Sequence, residues 1–369
     1  MVSEQKIPRC LDLFKNGLGS PKTYVNYKFQ LDRFLTWTKI PDYDDLLKAD
    51  DKSIQRLLED YLMYLKESKS ANYIPSIMAP VELFYTMNSK NFNKTLLHKM
   101  FPTRTKKSGY DYYTREDIES MLENTNKLRT KALILFLAST GCRVGVIPEL
   151  KLGHITNVED CKKILCYADS NEEYTTFMTP EASQVFDDYL AVRQQDREKL
   201  TAESPAFRQD YRLGDTPAET MQTGTVRLAI TITCKDVKRI KKNGRYNKQT
   251  LHSLRKFFNV MLKSRHDNNL SLSEKLMGHS TTIPLDNHYG SFSNEALFEE
   301  YKKSIPALSI SKEYKLQEQI KKNEEESKVT NDKLTDKMYS LERENLEMKE
   351  RFANIEKGID ELMKQKKKT

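Results

Sequence analysis

Five residues between positions 143 and 289 carry groups suited to chemistry at a phosphorus atom: Arg143 in "TGCRVGVIPELKLGHI", His252 and Arg255 in "LHSLRKFF", His279 in "LMGHS", and Tyr289 ten positions later. A phosphodiester under attack gathers negative charge on its non-bridging oxygens, and guanidinium groups meet those oxygens with paired hydrogen bonds. A tyrosine hydroxyl, with an ordinary pKa of about 10, needs a base and positive surroundings before it can attack. Histidine can move protons at neutral pH. Singly, each residue has an ordinary explanation, and Tyr289 is one of nineteen tyrosines. Other uses of the same residue types fit less well. The six histidines form no H-x-x-x-H pair, no carboxylates complete a metal site, and neither a P-loop nor a G-x-S-x-G elbow is present.

These side chains need a scaffold, and the chain pattern predicts a mainly α protein with a small β-sheet. Residues 20–102 read as a helical domain. Ser20 is placed as an N-cap with Pro21 at the first helical position, followed by a stripe of Tyr24, Tyr27, Leu31, Phe34 and Leu35. Further helices are expected at "DKSIQRLLEDYLMYLKESK", "PSIMAPVELFYTMN" and "FNKTLLHKMF". Residues 1–19 are taken as an N-terminal arm and 103–112, with Pro, Gly, Ser and basic residues, as a linker. The second domain, 113–308, opens with a capping-box pattern from Thr114 to Asp117 and continues into the apolar helix "LRTKALILFLAST". "ILCYA" and "EYTTFMT", separated by "DSNE", predict a hairpin. Helices are expected at "PEASQVFDDYLAVRQQ", "DVKRIKKN", "TLHSLRKFFNVMLKSRH" and "LSLSEKLMGH", the third placing His252 and Arg255 on one face.

From residue 312 to 369 the composition turns polar and rich in Glu and Lys. Leu334, Met338, Leu341, Asn345, Met348, Phe352, Ile355, Ile359 and Leu362 recur at alternating steps of four and three, a sustained heptad. With Met338 at an a position, Asn345 is also at a, where a buried polar residue favours a parallel, in-register dimer. The pairs Lys337 with Glu342, Glu344 with Lys349 and Arg351 with Glu356 are attractive between parallel chains. A C-terminal coiled coil is the expectation.

Bulk properties narrow the setting. No run approaches the roughly 20 apolar residues of a membrane span, and "MVSEQKIPRC" lacks a signal-peptide layout, so an intracellular, cytoplasmic protein is expected. Five scattered cysteines without a C-x-x-C pair argue for reduced thiols. The formal charge of +8 points weakly to a polyanionic partner.

The order Arg143, His252-x-x-Arg255, "LMGHS" and Tyr289 resembles the tyrosine recombinase (phage-type integrase) family, particularly its archaeal branch, over residues 113 to about 300. The resemblance implies a helical core-binding domain at 20–102 and an α+β catalytic domain at 113–308, clamping double-stranded DNA. It implies that Tyr289 attacks the scissile phosphate to form a 3′-phosphotyrosyl link and free a 5′-hydroxyl. Arg143 and Arg255 would clamp the non-bridging oxygens, His252 would act as general acid/base, and His279 would hydrogen-bond the phosphate. No metal, ATP or other cofactor is implied. Four protomers acting on two sites of a mobile genetic element, in the cytoplasm and on the nucleoid, are implied as the assembly.

Three departures stand against the family pattern. Val146 occupies a place that is commonly acidic. The family's hairpin-turn lysine has no counterpart among Asp169, Ser170, Asn171 and Glu172, leaving Lys162 or Lys163 on the preceding strand, or Lys235, as substitutes. The step from His279 to Tyr289 is one residue longer than usual, and His288 adjoins the tyrosine. "KDVKRIKKNGRYNK" supplies Lys235, Lys238, Arg239, Lys241, Lys242, Arg245 and Lys248 as expected phosphate contacts. Two other functions are compatible with the resemblance: a catalytically impaired, recombinase-like architectural DNA-binding protein, and a type IB topoisomerase-like relaxing enzyme.

Overall fold

The computed structural model describes residues 8–104, 109–210, 218–242, 245–279 and 293–366, part of the last stretch as backbone alone. The chain divides into two compact units, residues 1–109 and 110–369, each with its own core.

In the first unit the residues read as an arm contain a helix instead. α1 (Arg9–Asn16) buries Cys10, Leu11 and Phe14. The reason is amphipathic spacing: the three share one face, and burying them against the unit's core outweighs the weak propensity of so short a helix. α2 (Pro21–Thr38) starts as its sequence demands, with the Ser20 hydroxyl accepting from the Thr23 amide at 3.2 Å. Leu31 and Phe34 are fully buried, while Tyr24, Tyr27 and Leu35 pack at the margin. α3 (Tyr43–Leu46), α4 (Asp51–Ser68), α5 (Ile74–Met87) and α6 (Lys94–Lys99) complete the unit. Phe34 meets Tyr61 and Tyr85 edge-on at its centre. Each such buried side chain contributes about 1.5–3 kcal/mol.

The second unit begins earlier than the expected linker end. Asp111 bridges to Lys248 and Tyr113 is fully buried, so the chain is already part of this core from Tyr110 onward. α7 (Arg115–Glu123) carries the complete Thr114/Asp117 capping box. α8 (Leu128–Thr140) is buried on every side from Ala132 to Thr140, as a helix apolar all round must be. The expected hairpin is one half of a three-stranded antiparallel sheet: β1 (Ile155–Val158), β2 (Cys161–Cys166) and β3 (Tyr174–Met178), in that order. Ile164 pairs with Ile155 on one side and Thr176 on the other. α9 (Pro180–Gln195) follows, then α10 (Thr223–Thr233), which the sequence pattern had not marked.

The expected helix at "DVKRIKKN" is absent. Its end forms β4 (Lys241–Lys242), paired with β5 (Arg245–Tyr246). A helix there would stack Lys238 on Lys242 and Arg239 on Lys242, like charges one turn apart. Asn247 instead takes both polar groups of Ile240: its side-chain oxygen accepts from the Ile240 amide at 2.8 Å, and its own amide donates to the Ile240 carbonyl at 2.9 Å.

α11 (His252–Lys263), α12 (Leu270–Leu276), α13 (Asn294–Lys302) and α14 (Ile305–Leu308) close the unit. Tyr301 anchors α13: its hydroxyl donates to the Ser139 carbonyl at 2.9 Å, and its ring lies beside Phe177 and Phe258. α15 (Lys312–Lys366) is a single 55-residue helix. Leu334, Met338, Leu341, Met348, Phe352 and Ile355 are each more than half exposed along it. No helix among the described residues is long and apolar enough to cross a membrane.

Candidate active site

The site starts where α8 stops. Gly141 caps that helix with a left-handed backbone, φ +59°, and a Cβ at this position would lie 2.1 Å from Cδ1 of Phe258. Only glycine fits both the backbone and the space. The chain then turns out in an extended conformation, so that Arg143 begins the short 3-10 turn Val144–Val146. Its guanidinium donates to the Gly278 carbonyl at 3.1 Å.

α12 ends in the same way. The Gly278 amide returns to the Lys275 carbonyl and the His279 amide to the Glu274 carbonyl, a Schellman cap with Gly278 at φ +61°. A Cβ on Gly278 would stand 2.5 Å from the Tyr174 ring. The cap folds His279 back over its own helix, where Nδ1 lies 2.5 Å from Oε2 of Glu274. A carboxylate only accepts, so Nδ1 carries the proton and donates, leaving Nε2 as the other functional nitrogen. Burial opposes the Glu274 carboxylate, but hydrogen bonds from Lys263 and His279 outweigh it and hold the group below the usual carboxylate range. Glu274 thus supplies an acidic brace for the site, a role that Val146 cannot fill.

Arg255 joins the two glycine turns. It is 8% exposed and donates to the Gly141 carbonyl and, at 2.7 Å, to the Met277 carbonyl. Desolvation lowers its pKa, and the nearby charge of Arg143 adds to the effect. Among the described residues no carboxylate forms a salt bridge with either Arg143 or Arg255. Two guanidiniums bonded to neutral backbone carbonyls and paired with no carboxylate form a site that an anion would relieve.

Arg143, His252, Arg255 and His279 line one cleft of about 570 Å³, with Tyr110, Lys256 and Asn259. His252 is exposed at the first position of α11, and the Tyr110 ring meets it edge-on at 6.2 Å. Tyr289 and His288 lie outside the described residues. The segment carrying them joins α12 to α13.

The lysine expectations fare differently. Lys162 is buried away from this cleft, donating to Asn157 at 2.8 Å and pairing with Asp187 at 2.9 Å. Neither Lys163 nor Lys235 lines the cleft; Lys256 does. Of the basic segment, Lys235, Lys238 and Lys241 are exposed, while the Arg239 guanidinium lies over the Tyr246 ring at 4.7 Å. Arg245 donates to the Tyr110 hydroxyl at 3.2 Å. Lys248 is already paired with Asp117 at 2.5 Å, which ties down its charge. The backbone of Lys242 is in β4.

Sequence reasoning passed over Lys256, Glu274 and Tyr110. The first had a signal: Lys256 is one helical turn beyond His252, on the same face. Glu274 could be tied to His279 only through the left-handed turn at Gly278.

Residues 111–293 match the family model described as the phage integrase family. Among solved structures the chain is similar to the XerA recombinase, at 20% identity over 80% of this chain and 97% of that one, with a TM-score of 0.37. It is similar to a lambda integrase dimer bound to a COC′ core site, at 15% identity over 78% and 77%, with a TM-score of 0.49. It is also similar to the integrase from mycobacterium phage Brujita, at 16% identity over 82% and 91%, with a TM-score of 0.40. No curated protein matches significantly.

Proposed function

We propose that the protein is a site-specific DNA recombinase that cuts and rejoins DNA through a 3′-phosphotyrosyl intermediate, with Tyr289 as nucleophile. The observation that carries this reading is the pair Arg143 and Arg255, brought into one cleft with His252 and His279 inside the stretch that matches the phage integrase family. The arginines bind the non-bridging oxygens, and their charge grows in value as negative charge develops there. His252 accepts the phenolic proton and His279 hydrogen-bonds the phosphate through Nε2. The energy of the broken phosphodiester is kept in the protein–DNA ester, so the reaction needs neither ATP nor a metal.

Around this chemistry, the unit spanning residues 1–109 acts as the core-binding domain, and Lys235, Lys238, Arg239, Lys241, Lys242 and Arg245 contact phosphates without reading sequence. Lys248 serves chiefly to hold Asp117. Four protomers assemble on two DNA sites, as in the family that the motifs resemble, and the archaeal branch is the one they resemble most. α15 pairs with its copy in a second chain as a parallel coiled coil: its exposed heptad positions lack a partner among the described residues, and Asn345 sets the register.

The test is covalent capture. Wild-type protein is incubated with a pool of nicked duplexes of randomised sequence, denatured with detergent, and any protein-bound DNA is recovered and sequenced. Wild type is expected to yield adducts, with chelator present or absent, and Tyr289→Phe none. An adduct formed by Tyr289→Phe rejects the nucleophile, and no adduct from wild type rejects the function.

A further inference from the structure

We propose that Lys256 is the general acid that protonates the leaving 5′-oxygen, an assignment that rests on the phosphotyrosyl reading above. His252, Arg255, Lys256 and Asn259 fall at i, i+3, i+4 and i+7 of α11, one face of the helix, and all four line the cleft. The other face, with Leu254, Phe257, Phe258 and Leu262, is buried. That burial sets the rotation of the helix, and with it the direction of the polar row.

Lys256 is half-buried, and its Nζ donates to the Tyr110 carbonyl. The acceptor is neutral, and among the described residues no carboxylate forms a salt bridge with the ammonium. Three other lysines of this unit are spent: Lys162 on Asp187, Lys248 on Asp117 and Lys263 on Glu274. An ammonium has three donors, so Lys256 keeps capacity and uncompensated charge for a phosphodiester. Its acceptor is braced in turn. The Asp111 amide donates to the Asn247 carbonyl at 2.8 Å, and the Ser253 hydroxyl donates to the Asp111 carbonyl at 2.6 Å. The chain next to Tyr110 is thereby tied to the first turn of the helix that carries Lys256.

In the forward step the Tyr289 oxygen bonds to phosphorus while its proton passes to His252. The bond from phosphorus to the 5′-oxygen breaks, its electron pair stays on that oxygen, and the oxygen takes a proton from the Lys256 ammonium. Religation reverses the transfer: neutral Lys256 takes the proton of the incoming 5′-hydroxyl, and His252 returns one to the tyrosine.

The test uses the full chain and a duplex recovered by covalent capture, synthesised with oxygen or with sulfur at the bridging 5′ position. A thiolate departs without a proton. Lys256→Ala is expected to slow adduct formation on the oxygen substrate by about 10²–10⁴-fold and to come within about tenfold of wild type on the sulfur substrate. Lys256→Arg keeps the charge but does not release a proton, and is expected to follow Lys256→Ala. An unchanged rate on oxygen, equal loss on both substrates, or rescue of the oxygen rate by arginine overturns the assignment. A wild type that forms no adduct, or an adduct formed by Tyr289→Phe, removes the phosphotyrosyl reading and the assignment with it.

Discussion

In the cleft, Arg143, His252, Arg255 and His279 reach one volume from three separate segments of chain, whereas along α15 the apolar side chains from Leu334 to Ile355 follow one another at steps of three and four. The cleft is made by contacts between segments: backbone carbonyls at Gly141, Met277 and Gly278 hold the two arginines. The helix is made by local repetition. Its interior hydrogen bonds are its own, and its apolar stripe stays exposed. The difference predicts opposite responses to the same kind of perturbation. A small change in the cleft strains several segments at once, while α15 tolerates change at any one place and depends on what covers its stripe.

The largest expected effect tests that contrast with two glycines. Gly141→Ala forces a left-handed alanine, at about 1–2 kcal/mol, and drives its methyl group into Phe258, so urea unfolding should show a loss of at least ~3 kcal/mol. Gly358→Ala in α15 meets nothing within 4 Å and should instead raise helix stability by about 0.5–1 kcal/mol. Equal effects at the two glycines would erase the comparison.

A second test removes residues 312–369 and measures solution mass and melting together. The mass should fall to that of a smaller assembly while the unfolding of the 110–311 portion is unchanged. An unaltered oligomeric state would defeat the pairing proposed for α15.

The smallest effect concerns the brace behind His279. The Glu274 carboxyl is held below its usual range, so its stabilising contribution is complete above the ordinary carboxylate pKa and fades as pH falls through the lowered value. Glu274→Gln should therefore cost about 0.5–1 kcal/mol at pH 7, and the gap from wild type should close in acid. A gap that persists at low pH would show that the Lys263 and His279 hydrogen bonds are not its source.

Much of this architecture was legible one segment at a time. Ser20 and Thr114 announced helix starts because capping is a local hydrogen bond, and "ALILFLAST" announced a buried helix because every face is apolar. The failures came from partners outside the segment being read. "DVKRIKKN" has helical spacing, but Asn247 several residues away captures its backbone, and α1 gains its stability from a core whose other walls come from later helices.

By itself the sequence determined the residue types of the cleft, the heptad of α15 and most helix boundaries, since each depends on periodicity or on a short motif. Only the tertiary structure decided that Lys256 rather than Lys163 or Lys235 enters the cleft, that Glu274 braces His279, and that Lys248 is spent on Asp117. Those outcomes turn on left-handed glycines and on which face of α11 the core buries, and neither is encoded by the spacing of the residues they position.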